Sequence, residues 1–76
     1  MITSYRWENL TTQRYYKVIL TQDLFGDWVV TKVWGGFRKA GGGSKNIPCQ
    51  SYEECLKLIQ KIALLRLKRG YIQINT

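Results

Sequence analysis

The chain has 76 residues, of which 45% are hydrophobic and 13% aromatic, which is enough to build one folded domain over residues 1–76. Twelve lysines and arginines against five acids give a formal net charge of +7, which favours polyanionic partners such as nucleic acid. The absence of histidine excludes a Ser-His or Cys-His nucleophile pair, and no two acids stand out as a general acid and base. We therefore predict a binding protein, not an enzyme, with no catalytic residues and no cofactor.

Membrane insertion and metal binding are both disfavoured. No apolar run reaches the ~18 residues that a membrane-spanning helix needs, and residues 1–6 lack the order of a secretory signal, so we expect a cytoplasmic location. Cys49 and Cys55 have no further cysteine or histidine with which to form a zinc site, so no metal is expected. Reduced thiols are the expected state, and a disulfide in an oxidising compartment is the alternative.

A hairpin is the clearest prediction for the first half of the chain. Residues 5–10 alternate between apolar and polar side chains and form a candidate first strand. Residues 14–21 and 28–34 are both rich in aromatic and β-branched residues, which is typical of strands. The segment 23–27 between them has Asp at both ends and Gly26 near its tip, so the two strands should be antiparallel neighbours.

Beyond Trp34 we expect the strand to break, because Gly35 and Gly36 follow it. By the two-residue period of a strand, Trp34 shares a face with Lys32, and a cation beside an aromatic ring suits a nucleic-acid surface. We therefore expect this face to meet solvent, with the helix on the opposite face. A core position for Trp34 is the alternative, and for a single Trp it is the more frequent outcome.

A glycine-rich segment leads towards the helix. Residues 40–44 lack both the Lys-Ser ending of a P-loop and the glycine spacing of a dinucleotide fingerprint, so we predict a flexible loop without a nucleotide site. Residues 45–47 form a candidate short strand, which Pro48 should end.

A single helix is predicted in the C-terminal half. Ser51 and Glu54 have the spacing of a capping box, and Gly70 should end the helix as a left-handed cap. The cations within residues 66–69 should mainly interact with the negative end of the helix dipole. Residues 71–74 form a last strand or an extended tail. The apolar stripe that should pack on the sheet consists of Tyr52, Cys55, Leu58, Ile59, Ile62 and Leu65, widened by Leu56, Ala63 and Leu67.

These elements define the α+β class, with a small antiparallel sheet of four to five strands and one helix packed on one face. The order of the first hairpin, the Trp34-Gly35 strand end and a Ser51-capped helix ending near Gly70 resembles the WGR domain. That module occurs in poly(ADP-ribose) polymerases and in bacterial proteins related to molybdate-metabolism regulators. The resemblance covers about residues 14–71 and implies the same fold and a nucleic-acid-binding role.

In the DNA-dependent polymerases of that family, the signature region touches DNA near a strand break. The resemblance therefore implies stacking of Trp34 on a terminal nucleotide and close backbone approach at Gly35. Gly36 stands where the signature has Arg, and our hypothesis is that Arg38 and Lys39 supply the missing charge. The complete predicted nucleic-acid-binding site is Trp34, Gly35, Gly36, Arg38, Lys39, Lys32 and Lys45.

The predicted function is a small nucleic-acid-binding module that favours DNA over RNA. No helix is placed to read a major groove, so we expect phosphate contacts and aromatic stacking with little sequence specificity. The alternative is a protein–protein adaptor or a homodimer that uses the exposed aromatic edge. A peripheral membrane role is the weakest hypothesis, since the apolar stripe of the helix is needed against the sheet.

Overall fold

A computed structural model describes residues 3–38 and 41–74, which form one antiparallel sheet with a helix packed on it. The strands are β1 (Thr3–Asn9), β2 (Arg14–Gln22), β3 (Trp28–Gly36), β4 (Gly42–Cys49) and β5 (Ile72–Ile74), and the helix α1 spans Tyr52–Lys68. Their order across the sheet is β4-β3-β2-β1-β5. The predicted α+β class, with its antiparallel sheet and its helix in the C-terminal half, is confirmed.

Strands β2 and β3 form the central hairpin that the sequence predicted. Their register pairs Gln22 with Trp28 at the closed end and Arg14 with Gly36 at the open end. Asp23 closes the connecting loop, because its Oδ1 accepts hydrogen bonds at 2.9 Å from two backbone N–H groups of the loop. The open end of this hairpin is where the candidate site forms.

Strands β3 and β4 are both longer than the sequence predicted. Strand β3 does not break after Trp34 but continues through Gly36, and its Gly35 pairs with Gly42 of β4. Strand β4 therefore begins inside the segment that was expected to be a flexible loop. It also continues through Pro48, because β4 lies at the edge of the sheet, where a residue without an N–H group is tolerated.

The core lies between α1 and one face of the sheet. Its buried members are Trp7, Tyr16, Val18, Leu20, Val30, Cys49, Cys55, Ile59 and Ile62. On α1 the line of burial runs from Cys55 to Arg66 at three- and four-residue spacing, whereas Leu65 and Leu67 are exposed. Assigning Leu65 and Leu67 to the core was wrong, because Arg66 between them occupies the buried line and both leucines point away from it.

Both ends of α1 are closed by the residues that the sequence indicated. The Ser51 hydroxyl accepts a hydrogen bond from the backbone N–H of Glu54 at 3.1 Å. At the other end Gly70 has φ 84°, and the N–H of Tyr71 donates to the carbonyl of Arg66 at 2.9 Å, as in a Schellman cap. No helix in the described part of the chain has the length and apolarity needed to cross a membrane.

The two cysteines are buried and are not joined to each other. Burial raises the pKa of the Cys55 thiol to about 12, and neighbouring Cys49 and Glu54 act in the same direction. Cys55 is therefore a protonated thiol at neutral pH. Both residues fill the core as small hydrophobic side chains, which agrees with the predicted reduced state.

Ile62 tests the position of the core, because it is only 5% exposed on the sheet-facing side of α1. We expect Ile62→Ala to lower the free energy of unfolding by about 2–5 kcal/mol, since it leaves a cavity, and Ile62→Asp to prevent folding. Gln60→Ala, on the exposed side of the same helix, should change the free energy of unfolding by less than about 0.5 kcal/mol. Urea denaturation measures all three variants, and equal effects of Ile62→Ala and Gln60→Ala would contradict this packing.

Candidate nucleic-acid interface

A broad groove, here called the basic groove, lies at the open end of the β2–β3 hairpin. Strand ends, the turn between β1 and β2 and the last turn of α1 form its walls, and its volume is about 1240 Å³. No Asp or Glu of residues 3–38 and 41–74 lines it. The six described cations that do are Arg14, Lys32, Arg38, Lys45, Arg66 and Arg69. The groove is therefore a positively charged surface without internal neutralisation.

The structure brings most of the predicted site residues together in this groove. Those that line it are Trp34, Gly35, Gly36, Arg38, Lys32 and Lys45. Lys39 lies outside the described residues. The predicted residues thus share one location, while their role in binding stays a prediction.

Trp34 lies on the helix side of the sheet, so the expectation that it occupies the opposite side is wrong. The register places it beside Tyr16, a core residue, and their ring centroids are 6.3 Å apart with an interplanar angle of 18°. Its side chain is nevertheless 38% exposed, because the last turn of α1 covers Tyr16 but leaves Trp34 open. An indole that is held by a neighbouring ring and partly open to solvent is suited to stacking.

A glycine on the neighbouring strand makes room for the indole. Gly43 is directly opposite Trp34 in the β3–β4 ladder. A Cβ atom at Gly43 would lie 2.6 Å from Cζ2 and 2.9 Å from Cε2 of the ring, which is closer than any real contact. The ring therefore depends on the absence of a side chain at position 43.

Gly35 lies where a side chain would have little room. A Cβ atom there would lie 3.1 Å from the hydroxyl oxygen of Tyr15 and 3.3 Å from the carbonyl oxygen of Gly41. Gly35 is paired on both sides within the sheet, so the strand break expected there does not occur. Its lack of a side chain lets the neighbouring strands approach closely.

Lys32 and Lys45 face each other directly across β3 and β4, on the same side of the sheet as Trp34. Like charges in directly opposed positions destabilise a sheet. Within the described residues the ion pair that forms joins Arg6 to Glu8 at 2.9 Å, and neither lysine has a carboxylate partner. An anion placed between the two lysines would relieve their repulsion.

Arg66 is the most enclosed cation of the groove, at 8% exposure. Its guanidinium carbon lies 4.2 Å from the ring centroid of Tyr16 and 5.1 Å from that of Tyr71. Burial raises the pKa of Tyr16 above its ordinary value, although the charge of Arg66 acts in the opposite direction. Tyr16 is therefore a neutral ring at physiological pH.

Sequence reasoning missed Arg66 as a site residue, because its position in the last turn was explained by the helix dipole. The signal was nevertheless present. Arg66 continues the three- and four-residue spacing of Cys55, Ile59 and Ile62, so it had to point towards the sheet. A charged residue at the end of an apolar stripe is unusual enough to indicate a site.

Asn9 joins two walls of the groove. It is buried, and its Nδ2 donates a hydrogen bond to the carbonyl of Arg69 at 3.1 Å. Its Oδ1 accepts from the backbone N–H groups of Thr11 and Thr12 at 3.0 and 3.1 Å. One amide side chain therefore fixes the end of α1 against the turn between β1 and β2.

We expect Asn9→Ala to lower the free energy of unfolding by about 1–3 kcal/mol, because it removes the three hydrogen bonds of a buried amide. Gln13→Ala removes a single exposed hydrogen bond to the carbonyl of Leu10 and should change the free energy of unfolding by less than about 0.5 kcal/mol. Urea denaturation compares the two variants. A loss for Asn9→Ala no larger than that for Gln13→Ala would show that Asn9 does not hold the two walls together.

Four of the five acids lie at the end of the sheet opposite the groove, and the fifth, Glu8, lies near the open end of the hairpin. Asp23 and Asp27 lie in the loop between β2 and β3, and a strand of nine residues places them about 26 Å from the open end. Glu53 and Glu54 are in the first turn of α1, which follows the far end of β4. Glu8 is paired with an arginine. The positive charge of the groove is therefore not offset locally.

A five-stranded antiparallel sheet that carries one helix and an open groove of cations and aromatic rings defines a small α+β binding module. The chain matches the WGR domain family over residues 4–76, and it belongs to that family. WGR domains are nucleic-acid-binding modules and not catalytic domains. Neither a curated protein nor a solved structure matches the chain significantly. The resemblance inferred from residues 14–71 is confirmed and extends further at both ends.

Proposed function

We propose that the basic groove binds DNA, preferentially at a free end or a nick, with little sequence specificity. One observation carries this proposal. A partly exposed Trp34 ring and six described cations line the same groove, and no described carboxylate lines it. Membership of a nucleic-acid-binding family supports the proposal.

The residues of the groove divide into those that hold phosphates and the one that stacks. Lys32, Lys45 and Arg38 provide charge along the β3–β4 side, where they would contact backbone phosphates. Trp34 presents a flat apolar surface to a terminal base or sugar. The helix contributes its C-terminal turn and no reading face, so base edges are not read in a major groove. Low sequence specificity follows from this division.

The glycine at the third signature position has a neighbour that replaces the missing charge. Arg14 is directly opposite Gly36 in the β2–β3 ladder and also lines the groove. Its side chain leaves the sheet on the same face as a side chain at position 36 would. Arg14 adds to the charge of Arg38, which the sequence suggested for this purpose.

Fluorescence titration tests the proposal. Trp7 is buried and Trp34 is the most exposed tryptophan, so a short nicked DNA duplex should quench emission through Trp34. With four to six phosphate contacts, log K should fall by about 3–5 per log unit of salt concentration. The same duplex made of RNA should bind more weakly. Failure of the protein to bind nicked or blunt DNA at low ionic strength would refute the proposal.

A protein contact is a second candidate, favoured by the tip of the β2–β3 hairpin. Leu24 and Phe25 are 100% and 90% exposed there, at the end of the sheet opposite the groove. Large apolar side chains in this position suit a protein partner or a second copy of the chain. Light scattering over a range of concentrations would show self-association, and Leu24→Ser with Phe25→Ser should abolish it.

A further inference from the structure

Arg66 carries an inference that deepens the proposed function and rests on it. A buried guanidinium is normally paired with a carboxylate or fully hydrogen-bonded, because the unpaired charge is costly to desolvate. Arg66 is 8% exposed, its Nε has no hydrogen-bond partner, and no described Asp or Glu forms an ion pair with it. The two tyrosine rings that enclose it supply cation–π contacts but no negative charge.

The placement of Arg66 makes it accessible from one direction. Its side chain lines the basic groove, while Tyr16 and Tyr71 cover it within the protein. The carbonyl of Arg66 is already occupied by the N–H groups of Arg69 and Tyr71. An anion that approaches from the groove therefore meets the guanidinium and not an open carbonyl at the helix end.

Arg66 is also close to the stacking residue. The guanidinium carbon is 4.2 Å from the centroid of Tyr16, and the centroid of Trp34 is 6.3 Å from that same centroid. A phosphate on Arg66 and a ring on Trp34 would thus belong to the same nucleotide or to neighbouring nucleotides. The geometry points to Arg66 as the receptor for one particular phosphoryl group of the bound strand, with Tyr16 as the spacer between phosphate and stacked ring.

This assignment differs from that of the exposed lysines. Lys32 and Lys45 are point charges that attract any nearby phosphate. Arg66 is held in one place by two rings, so its planar donors are oriented before the ligand arrives. It should therefore sense the neutralisation of one phosphate, whereas the lysines respond to overall charge.

A double-mutant cycle between protein and DNA tests this inference. Each phosphate of a short nicked duplex is replaced in turn by an uncharged methylphosphonate, and each duplex is titrated against wild type, Arg66→Gln and Lys68→Gln. Lys68 is the matched control, since it is exposed in the same helical turn but lies outside the groove lining. Duplexes with and without a terminal 5′-phosphate are included. They show whether the phosphate bound by Arg66 is a backbone diester or a terminal monoester.

In wild type and Lys68→Gln, neutralising one phosphate should weaken binding about tenfold or more, because a charge-assisted contact is lost. In Arg66→Gln the same replacement should weaken binding by less than about twofold, while replacements at the other phosphates should weaken it as they do in wild type. Equal losses at every phosphate in wild type and Arg66→Gln would overturn the assignment of Arg66 and leave the DNA-binding groove intact. An absence of binding by wild type to every duplex would overturn the proposed function itself.

A second variant guards against misfolding. Arg66→Lys keeps the charge and most of the aliphatic stem but lacks the fork of planar donors. Urea denaturation checks that it folds. It should bind the unmodified duplex several-fold more weakly than wild type and show a smaller response at the same phosphate. Wild-type affinity together with a wild-type response at every phosphate would contradict oriented recognition by Arg66.

Discussion

Replacing both facing lysines by glutamate, Lys32→Glu with Lys45→Glu, should abolish DNA binding at physiological salt. Each substitution removes a charge-assisted contact worth about 1.5–3 kcal/mol and adds repulsion, so affinity should fall by about 100-fold or more. The fold should be retained, since one pair of directly opposed like charges replaces another. Anisotropy of a labelled nicked duplex measures the affinity, and urea denaturation measures the stability.

The control keeps the same total charge in a different place. Lys57→Glu with Lys61→Glu changes two exposed lysines of α1 that do not line the groove. Each pair of substitutions lowers the formal net charge from +7 to +3, because every lysine replaced by glutamate changes the charge by two. Equal losses of affinity in the two double variants would mean that total charge, and not the groove, governs binding.

A single substitution separates stability from binding. Lys45→Glu alone places opposite charges directly across β3 and β4, which should raise the free energy of unfolding by about 0.2–1 kcal/mol. The same variant should bind DNA less tightly than wild type. A protein that becomes more stable while losing affinity would show that the facing lysines are unfavourable for the fold alone.

Trp34→Ala should weaken DNA binding by about 5- to 150-fold, because stacking of one base on one aromatic ring is worth about 1–3 kcal/mol. The salt dependence should stay the same, since no charge is removed. Trp34→Tyr keeps a flat ring and should recover part of the affinity. Anisotropy of a labelled duplex over a range of salt concentrations measures both quantities, and a changed salt slope with unchanged affinity would contradict a stacking role.

Gly43→Ala tests the same contact without altering the indole itself. The added methyl group would occupy the position of the ring, so Trp34 must move and binding should weaken. Ser44→Ala is the matched control, because Ser44 is the next residue of β4 and is exposed on the other face. Similar affinity of Gly43→Ala and wild type would show that the position of the indole does not matter.

The sequence was sufficient to predict the order of the elements and the pairing of β2 with β3. Alternation and turn residues predicted the β2–β3 hairpin, and Ser51 and Gly70 marked the two ends of α1 through local backbone chemistry. Such signals lie within a few residues of one another and do not depend on the rest of the fold. The expected strand break at Gly35 was wrong for the same reason, since the pairing of Gly35 depends on Tyr15 and Gly42 in neighbouring strands.

The side of the sheet on which Trp34 lies depends on register and burial, because valines occur on both faces of β3. Val30 shares its face with Trp34 and is fully buried opposite Leu20, so this face had to be the core face. What the sequence did not contain was the length of sheet that α1 covers. That depends on where the helix crosses the strands, which is a property of packing between distant parts of the chain.

The proximity of Arg66 and Trp34 could not be predicted from local sequence patterns, because it also depends on packing between distant parts of the chain. The two residues are far apart in the chain, and Tyr16 of a third element lies between them. The predicted site was therefore complete along β3 and β4 but lacked the wall that α1 supplies. Three cations, Arg14, Arg66 and Arg69, entered the site only through the fold.

Four of the five acids lie towards the closed end of the hairpin and six cations line the groove at its open end, which gives the molecule an electric dipole along its strands. Near a polyanion, a molecule with such a dipole rotates before contact, so that its positive end leads. A larger fraction of collisions is then productive, and association is faster than an evenly spread charge of the same size would allow. The distribution of charge in this small fold therefore governs how quickly it finds its target as well as how tightly it holds it.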